Sequence, residues 1–217
     1  MGIHLIKSHS IIRVLTNIMM ILLYIFFLSV WDNSIQAAEI KSTSQSYKSE
    51  FHRKSLHTQP WFLNSFLDLK EDLQEANSQG KRLAIIWELA GCPYCRETHL
   101  VNFANPEIKN FVSQNFEILQ LDLRGSREII DFDGAKLTER DLAKKNKIRF
   151  TPTIQFFSES VDGILQENGI VKIEVSRMPG YFRPLHFLGM FQYIHDKGYE
   201  FGDYRSYLKA RAKKNPK

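Results

Sequence analysis

A chain of 217 residues holds one folded domain, and 29 Lys and Arg against 24 Asp and Glu give it a formal charge of +5. Basicity this mild, with no aromatic platform or groove-reading motif beside it, argues against nucleic acid as a partner. With only two cysteines, Cys92 and Cys95, the chain has no thiols to spare for a framework of structural disulfides.

Residues 1–17 carry Lys7 and Arg13 but no acid, Ile18 to Val30 is apolar apart from Ser29, and Ile35-Gln36-Ala37-Ala38 offers small residues for cleavage. That order predicts a secretory signal peptide over residues 1–37 and places the folded part outside the cytosol, in a periplasm. The alternative is an uncleaved membrane anchor over residues 11–31 with Arg13 snorkelling, although the uncharged run is shorter than the roughly 20 residues a bilayer span needs. Removing residues 1–37 leaves a charge of +4.

Residues 38–58 are rich in Ser, Lys, Thr and Gln and read as a flexible linker. The folded domain is expected over residues 59–200. Asn64 can cap a helix carrying Phe66, Leu69, Leu73 and Ala76 on one face and ending at Gly80. Leu83-Ala84-Ile85-Ile86-Trp87 is a strand buried on both faces, with Trp87 in the core. Cys92 then stands at a helix N-cap with Pro93 at the first helical position, and the helix runs on from Arg96 to Phe103. Asn105-Pro106 restarts a helix with Ile108, Phe111 and Val112 inward. Phe116 to Leu123 is a second buried strand.

Residues 124–137 read as a loop. Thr138 and Asp141 form a capping box for a short helix through Lys145. A strand covers Phe150 to Phe157, and Asn168-Gly169 signals a hairpin before a strand over Ile170 to Val175. Leu185, Leu188, Phe191 and Ile194 describe a helix over Pro184–Lys197 closed by Gly198. Asp203 opens a last polar helix, so that residues 201–217 form a basic, solvated helix and tail with Arg205, Lys209, Arg211, Lys213, Lys214 and Lys217. The early strand–helix–strand crossover implies parallel pairing and the late hairpin antiparallel pairing. The fold class is α/β: a mixed β-sheet flanked by helices on both faces.

Gly91-Cys92-Pro93-Tyr94-Cys95 puts two thiols one helical turn apart. As a mere staple the pair closes so small a ring that it gains only about 2 kcal/mol. As a redox couple it is well placed: unsatisfied N–H groups at a helix N-terminus favour the Cys92 thiolate, which attacks a disulfide, and the shielded Cys95 resolves the adduct. A metal site is the competing class. Cys92, Cys95 and His99, four residues on from Cys95, could present a Cu(I) chaperone site, but two sulfurs and one histidine leave tetrahedral zinc incomplete. His99 alone reads as an exposed helix residue, and no metal or cofactor is expected.

The strand, the Cys-Pro-Tyr-Cys helix start and Phe150-Thr151-Pro152-Thr153 at the head of a later strand together resemble the thioredoxin superfamily. Trp87-Glu88, Arg96, Asp131-Phe132-Asp133-Gly134, Met178-Pro179-Gly180-Tyr181 and His186-Phe187-Leu188 make the chain most similar to the exported SoxW-type thioredoxins, over roughly residues 60–200. The resemblance implies a cis Thr151-Pro152 peptide that leaves the Thr151 backbone free to bind an extended substrate, and a Gly180 that lets backbone approach the site. Pro93 and Tyr94 resemble the glutaredoxin doublet and would tune the couple, with Tyr94 touching the partner. One departure stands out: the buried acid that thioredoxins carry six residues before the first cysteine is Ile86 here. Glu88 lies on the same face of the strand and could take over its proton relay, or be a partly exposed strand-end residue. The implied function is an exported thiol–disulfide oxidoreductase that reduces protein disulfides in a sulfur-oxidation context, with a membrane thiol transporter as electron donor. The same fold could instead oxidise or isomerise disulfides.

Overall fold

The computed structural model describes residues 19–20, 55–159, 166–167, 170–171 and 173–214. The expected signal peptide or anchor lies outside the described residues except for Met19-Met20, which are helical and exposed; most of the 38–58 linker and the Asn168-Gly169 turn also lie outside them. The chain divides into two units, residues 1–52 and 53–217, and every described strand belongs to the second. Among the described residues no helix is long and apolar enough to cross a membrane.

All seven residues of β1 (Arg82–Glu88) are buried, and alternate side chains feed two separate cores. Ala84 and Ile86 pack with α3 (Pro106–Asn115) and α5 (Pro184–His195), while Leu83, Ile85 and Trp87 pack with α1 (Leu69–Ser78) and α4 (Glu139–Lys145). Helices on both faces are why this strand is a continuous apolar run rather than an alternating one. β1 pairs in parallel with β2 (Phe116–Asp122) and antiparallel with β5 (Thr153–Phe157), which pairs antiparallel with β8 (Glu174–Pro179). The order is β2-β1-β5-β8, the expected mixed sheet of a thioredoxin-like α/β fold. Behind the sheet, Phe103–Phe187, Phe116–Phe191 and Phe156–Phe191 meet edge to face at 5.2, 4.9 and 5.1 Å. Each such pair adds about 1 kcal/mol beyond the area it buries and holds α5 against the sheet.

Four expectations need correction. The first helix begins at Leu69, capped by Asp68, whose carboxylate accepts from the Lys70 and Glu71 N–H groups at 3.1 Å each. Asn64 does not cap it, and Phe66 is 99 % exposed. The reason is that the Leu67 carbonyl is already taken by the Ile130 N–H at 2.8 Å, and Leu67 itself has φ +68, outside the helical region. Residues 124–137 are not a plain loop: β3 (Glu128–Ile130) and β4 (Lys136–Thr138) form a hairpin whose Asp131–Ala135 turn needs Gly134 at φ +82. The expected Ile170–Val175 strand is split. Ile170–Val171 forms β7, paired with β6 (Gln166–Glu167), and β8 starts at Glu174 and runs on to Pro179.

The helix after the cysteines is also broken. α2 (Pro93–Glu97) gives way to a π-helical turn over Thr98–Asn102. The Thr98 hydroxyl donates back to the Tyr94 carbonyl at 2.9 Å, and the Phe103 N–H reaches the Thr98 carbonyl five residues back. The other helix starts follow the sequence closely, while the strand expected from Phe150 begins three residues later, at Thr153. Asn105 caps α3, Thr138 caps α4, and Asp203 accepts from the Ser206 N–H at 2.7 Å where α6 (Tyr204–Lys214) opens. The β2 edge of the sheet is met by the lead-in segment, where the Leu63 N–H donates to the Ile118 carbonyl at 2.9 Å.

Candidate active site

β1 ends at Glu88, and a turn through Gly91 at φ +78 delivers Cys92 to the N-cap of α2, with Pro93 at the first helical position. Proline there gives up no hydrogen bond, because the first N–H groups of a helix have no partner within it. Cys92 and Cys95 are joined as a disulfide with Cα atoms 5.3 Å apart. Cys92 Sγ accepts the Cys95 N–H at 3.1 Å. Cys92 is half-buried and Cys95 is buried, so an incoming group reaches the first sulfur and not the second.

Opposite the disulfide, the Thr151-Pro152 peptide is cis. The Thr151 hydroxyl lies 3.5 Å from Cys92 Sγ, and its carbonyl oxygen is equally close. The Pro152 carbonyl is occupied by the Gly180 N–H at 2.7 Å, with Gly180 at φ +79, a conformation that favours glycine. The structure therefore brings Cys92, Thr151, Pro152 and Gly180 together from three elements far apart in the chain.

Beneath the cysteine helix lies a buried polar cluster. Glu88 is fully buried, on the Ala84 and Ile86 face of β1. Its two carboxylate oxygens lie 3.1 and 3.0 Å from His99 Nε2, and Gln120 Nε2 donates to one of them and to the His57 carbonyl. Gln59 Nε2 donates to His99 Nδ1 at 3.1 Å, which leaves Nε2 to carry the proton that faces Glu88. Glu88 is thus not a partly exposed strand end. Nor is His99 an exposed helix residue: it is 2 % exposed, on the same inward face as the buried Cys95 four residues before it. With both ring nitrogens engaged it has none left for an ion beside the sulfurs. Among the described residues no group of three His, Cys, Asp or Glu is arranged to hold a metal.

Around the disulfide the surface is aromatic. Tyr94 is 57 % exposed and stacks on Tyr181, ring centroids 6.1 Å apart. Burial pushes the Tyr181 hydroxyl above its usual range, and the negative charge of the nearby Glu97 carboxylate adds to this. Phe150, just before Thr151, is exposed. Trp87 is in the core as expected, its Nε1–H donating to Gln155 Oε1 at 2.6 Å. Sequence reasoning missed His99, Gln59 and Gln120 as members of this cluster. For Gln120 a signal existed: it is a polar residue in the middle of an apolar strand, directly across from Ile86 in the parallel register.

A family model described as a thioredoxin-like domain matches residues 69–195. No curated protein matches the chain. Among solved structures, a thioredoxin-fold protein from Helicobacter pylori aligns with a TM-score of 0.50 at 16 % identity, over 67 % of this chain and 99 % of its own. A thioredoxin from Thermus thermophilus aligns at 0.42 and 20 % identity, over 60 % and 86 %. The C-terminal domain of Neisseria meningitidis DsbD, in its oxidised form, aligns at 0.36 and 15 % identity, over 57 % and 90 %. At 16 % identity the likeness to the Helicobacter pylori protein is one of fold.

Proposed function

Since this chain belongs to the thioredoxin-like domain family, we propose that it is a thiol–disulfide oxidoreductase working through Cys92 and Cys95. The reduced Cys92 thiolate attacks one sulfur of a partner disulfide and expels the other as a thiolate, forming a mixed disulfide. Cys95 then loses its proton and attacks Cys92 Sγ, which releases the partner's second thiolate and leaves Cys92–Cys95 oxidised. Two electrons pass to the partner. The observation that carries this reading is the asymmetry of the pair: a half-buried sulfur facing the Cys95 N–H and the Thr151 hydroxyl, with a buried sulfur behind it. Both donors stabilise negative charge on Cys92 in the reduced form.

Glu88 accepts the Cys95 proton during resolution, with His99 holding the carboxylate in place from the turn that follows Cys95. Thr151, Pro152 and Gly180 form the shelf for the partner's extended backbone, while Pro93 and Tyr94 lie beneath its side chains. The direction is reduction of protein disulfides, in an exported setting: the charged, apolar and small-residue segments of positions 1–37 support export, cleaved or anchored. Electrons arrive from a membrane thiol transporter, and similarity to SoxW-type thioredoxins favours cysteine-bearing carriers of sulfur oxidation as partners. Cys95→Ala is the decisive experiment. It should trap partners on Cys92 as mixed disulfides that mass spectrometry identifies; a Cys92→Ala variant trapping them equally well would overturn the order of attack. A reduction potential close to −120 mV, rather than about −270 mV, would reverse the direction.

A further inference from the structure

Past the family-matched residues the chain adds α6, and this helix packs closely on α5. Gly189 makes that approach possible: a Cβ there would come within 2.8 Å of the Tyr204 hydroxyl and 3.4 Å of Leu208. The Tyr204 hydroxyl donates to the His186 carbonyl at 2.7 Å. Burial pushes its pKa up to about 12, so it remains a donor at any physiological pH.

Between α6 and the residues after Gly180 runs a groove of about 550 Å³. Tyr181, Phe182 and Leu208 give it an apolar floor, and Arg183, Arg205 and Lys209 line it as exposed cations, with His186 beside them. None of the three cations makes an ion pair among the described residues. Of the carboxylates in the neighbourhood, Glu97 lies near the Tyr181 hydroxyl, and Asp203, which accepts the Ser206 N–H, feels the charge of Arg205 and Lys209 without forming an ion pair with either. The groove starts beside the disulfide region: Tyr181, on its wall, stacks on Tyr94, and Gly180, the residue before it, bonds Pro152.

We propose that this groove docks an acidic segment bearing apolar side chains, supplied by the protein whose disulfide meets Cys92. The inference rests on the oxidoreductase reading only for the identity of that protein as the substrate. Apolar side chains cover Tyr181, Phe182 and Leu208, and the segment's carboxylates meet Arg183, Arg205 and Lys209. Contacts of this kind fix which disulfides are presented, and in which orientation, without touching the sulfur chemistry.

The test uses the full oxidised chain and two labelled, cysteine-free peptides that share apolar residues but carry either Glu or Lys between them, read by fluorescence anisotropy. The acidic peptide should bind at least about tenfold tighter at low salt, the sum of a few exposed charge pairs, and the advantage should shrink as salt is added. Arg205→Glu with Lys209→Glu should abolish the preference, and the milder Arg205→Gln with Lys209→Gln should reduce it. Equal binding of the two peptides, or a preference that survives charge reversal, would overturn the proposal. So would tight binding to phosphatidylglycerol vesicles that the acidic peptide fails to displace. Because binding needs no turnover, a chain that binds the acidic peptide yet cannot reduce hydroxyethyl disulfide keeps the groove and loses the oxidoreductase reading instead.

Discussion

Two buried hydrogen-bonded networks flank the end of β1, one on each face, and they are built to different purposes. On one face the Trp87 Nε1–H bonds Gln155, whose amide donates to Glu174 at 2.7 Å; Glu174 in turn pairs with Arg177, which reaches the Asn146 carbonyl at 3.1 Å. That chain runs outward and ends in a half-exposed ion pair, with no ionisable group fully buried. On the other face Glu88, at the end of β1, and His99, in the π-helical turn that follows α2, are both buried and held by two glutamines. The first network satisfies polar atoms that folding would otherwise strand; the second keeps a carboxylate and an imidazole dry beside a redox couple. Burying such a pair is costly unless every partner is present, and here each is.

Breaking the first network should produce the largest change in stability. Gln155→Ala orphans the Trp87 N–H and opens a cavity, and should cost roughly 3 kcal/mol in urea unfolding while the Cys92–Cys95 reduction potential stays put. Glu88→Gln keeps the shape of the second network but removes the carboxylate that we propose accepts the Cys95 proton. It should slow resolution of a pre-formed mixed disulfide by about 10- to 100-fold and leave the initial attack by Cys92 unchanged in stopped-flow traces. If resolution is as fast as in the parent, the two networks are alike in being structural.

A smaller effect comes from Asp72, on the side of the sheet that carries the Trp87 network. Its carboxyl accepts the Ser65 hydroxyl at 2.6 Å, yet burial raises its pKa from 3.8 to about 6. The folded state then binds more protons than the unfolded one between those values. The protein loses stability as pH rises through that window, and the loss is complete above it. Asp72→Asn should therefore raise the melting temperature at pH 7, by the equivalent of about 2 kcal/mol, and lose that advantage near pH 4. Smallest of all, Gly180→Ala should cost about 1 kcal/mol through its positive φ, and should weaken partner binding more than reduction of a small disulfide.

What the sequence made legible was whatever one short window determines. Leu83 to Trp87 could only be a two-faced strand, Cys92-Pro93 and Asn105-Pro106 could only be helix starts, and Thr138 with Asp141 marked a third. Positions set by distant partners were not legible. Phe66 follows helical spacing perfectly but is outside the helix, because Ile130 claims the Leu67 carbonyl from 63 residues away. β3 and β4, at three residues each, are too short for alternation to register. His99 was misjudged for a subtler reason: its spacing from Cys95 put it on the same helix face, but a lone polar side chain reads as solvated until its distant partners Glu88 and Gln59 are known. In the site, Cys92, Cys95, Thr151 and Pro152 could be picked out as motif residues, whereas the cis peptide came only with the family likeness and the Gln59–His99 contact crosses 40 residues.

The lead-in bond from Leu63 to Ile118 has one more effect. A bare outer strand is a template on which foreign backbone can lengthen the ladder, and β2 is the outer strand on its side of the sheet. By bonding Ile118, Leu63 covers part of that rim, like a selvedge on a weave, and leaves less of it for foreign backbone to pair with. The opposite rim, β8, ends in Pro179, which has no N–H to offer a newcomer.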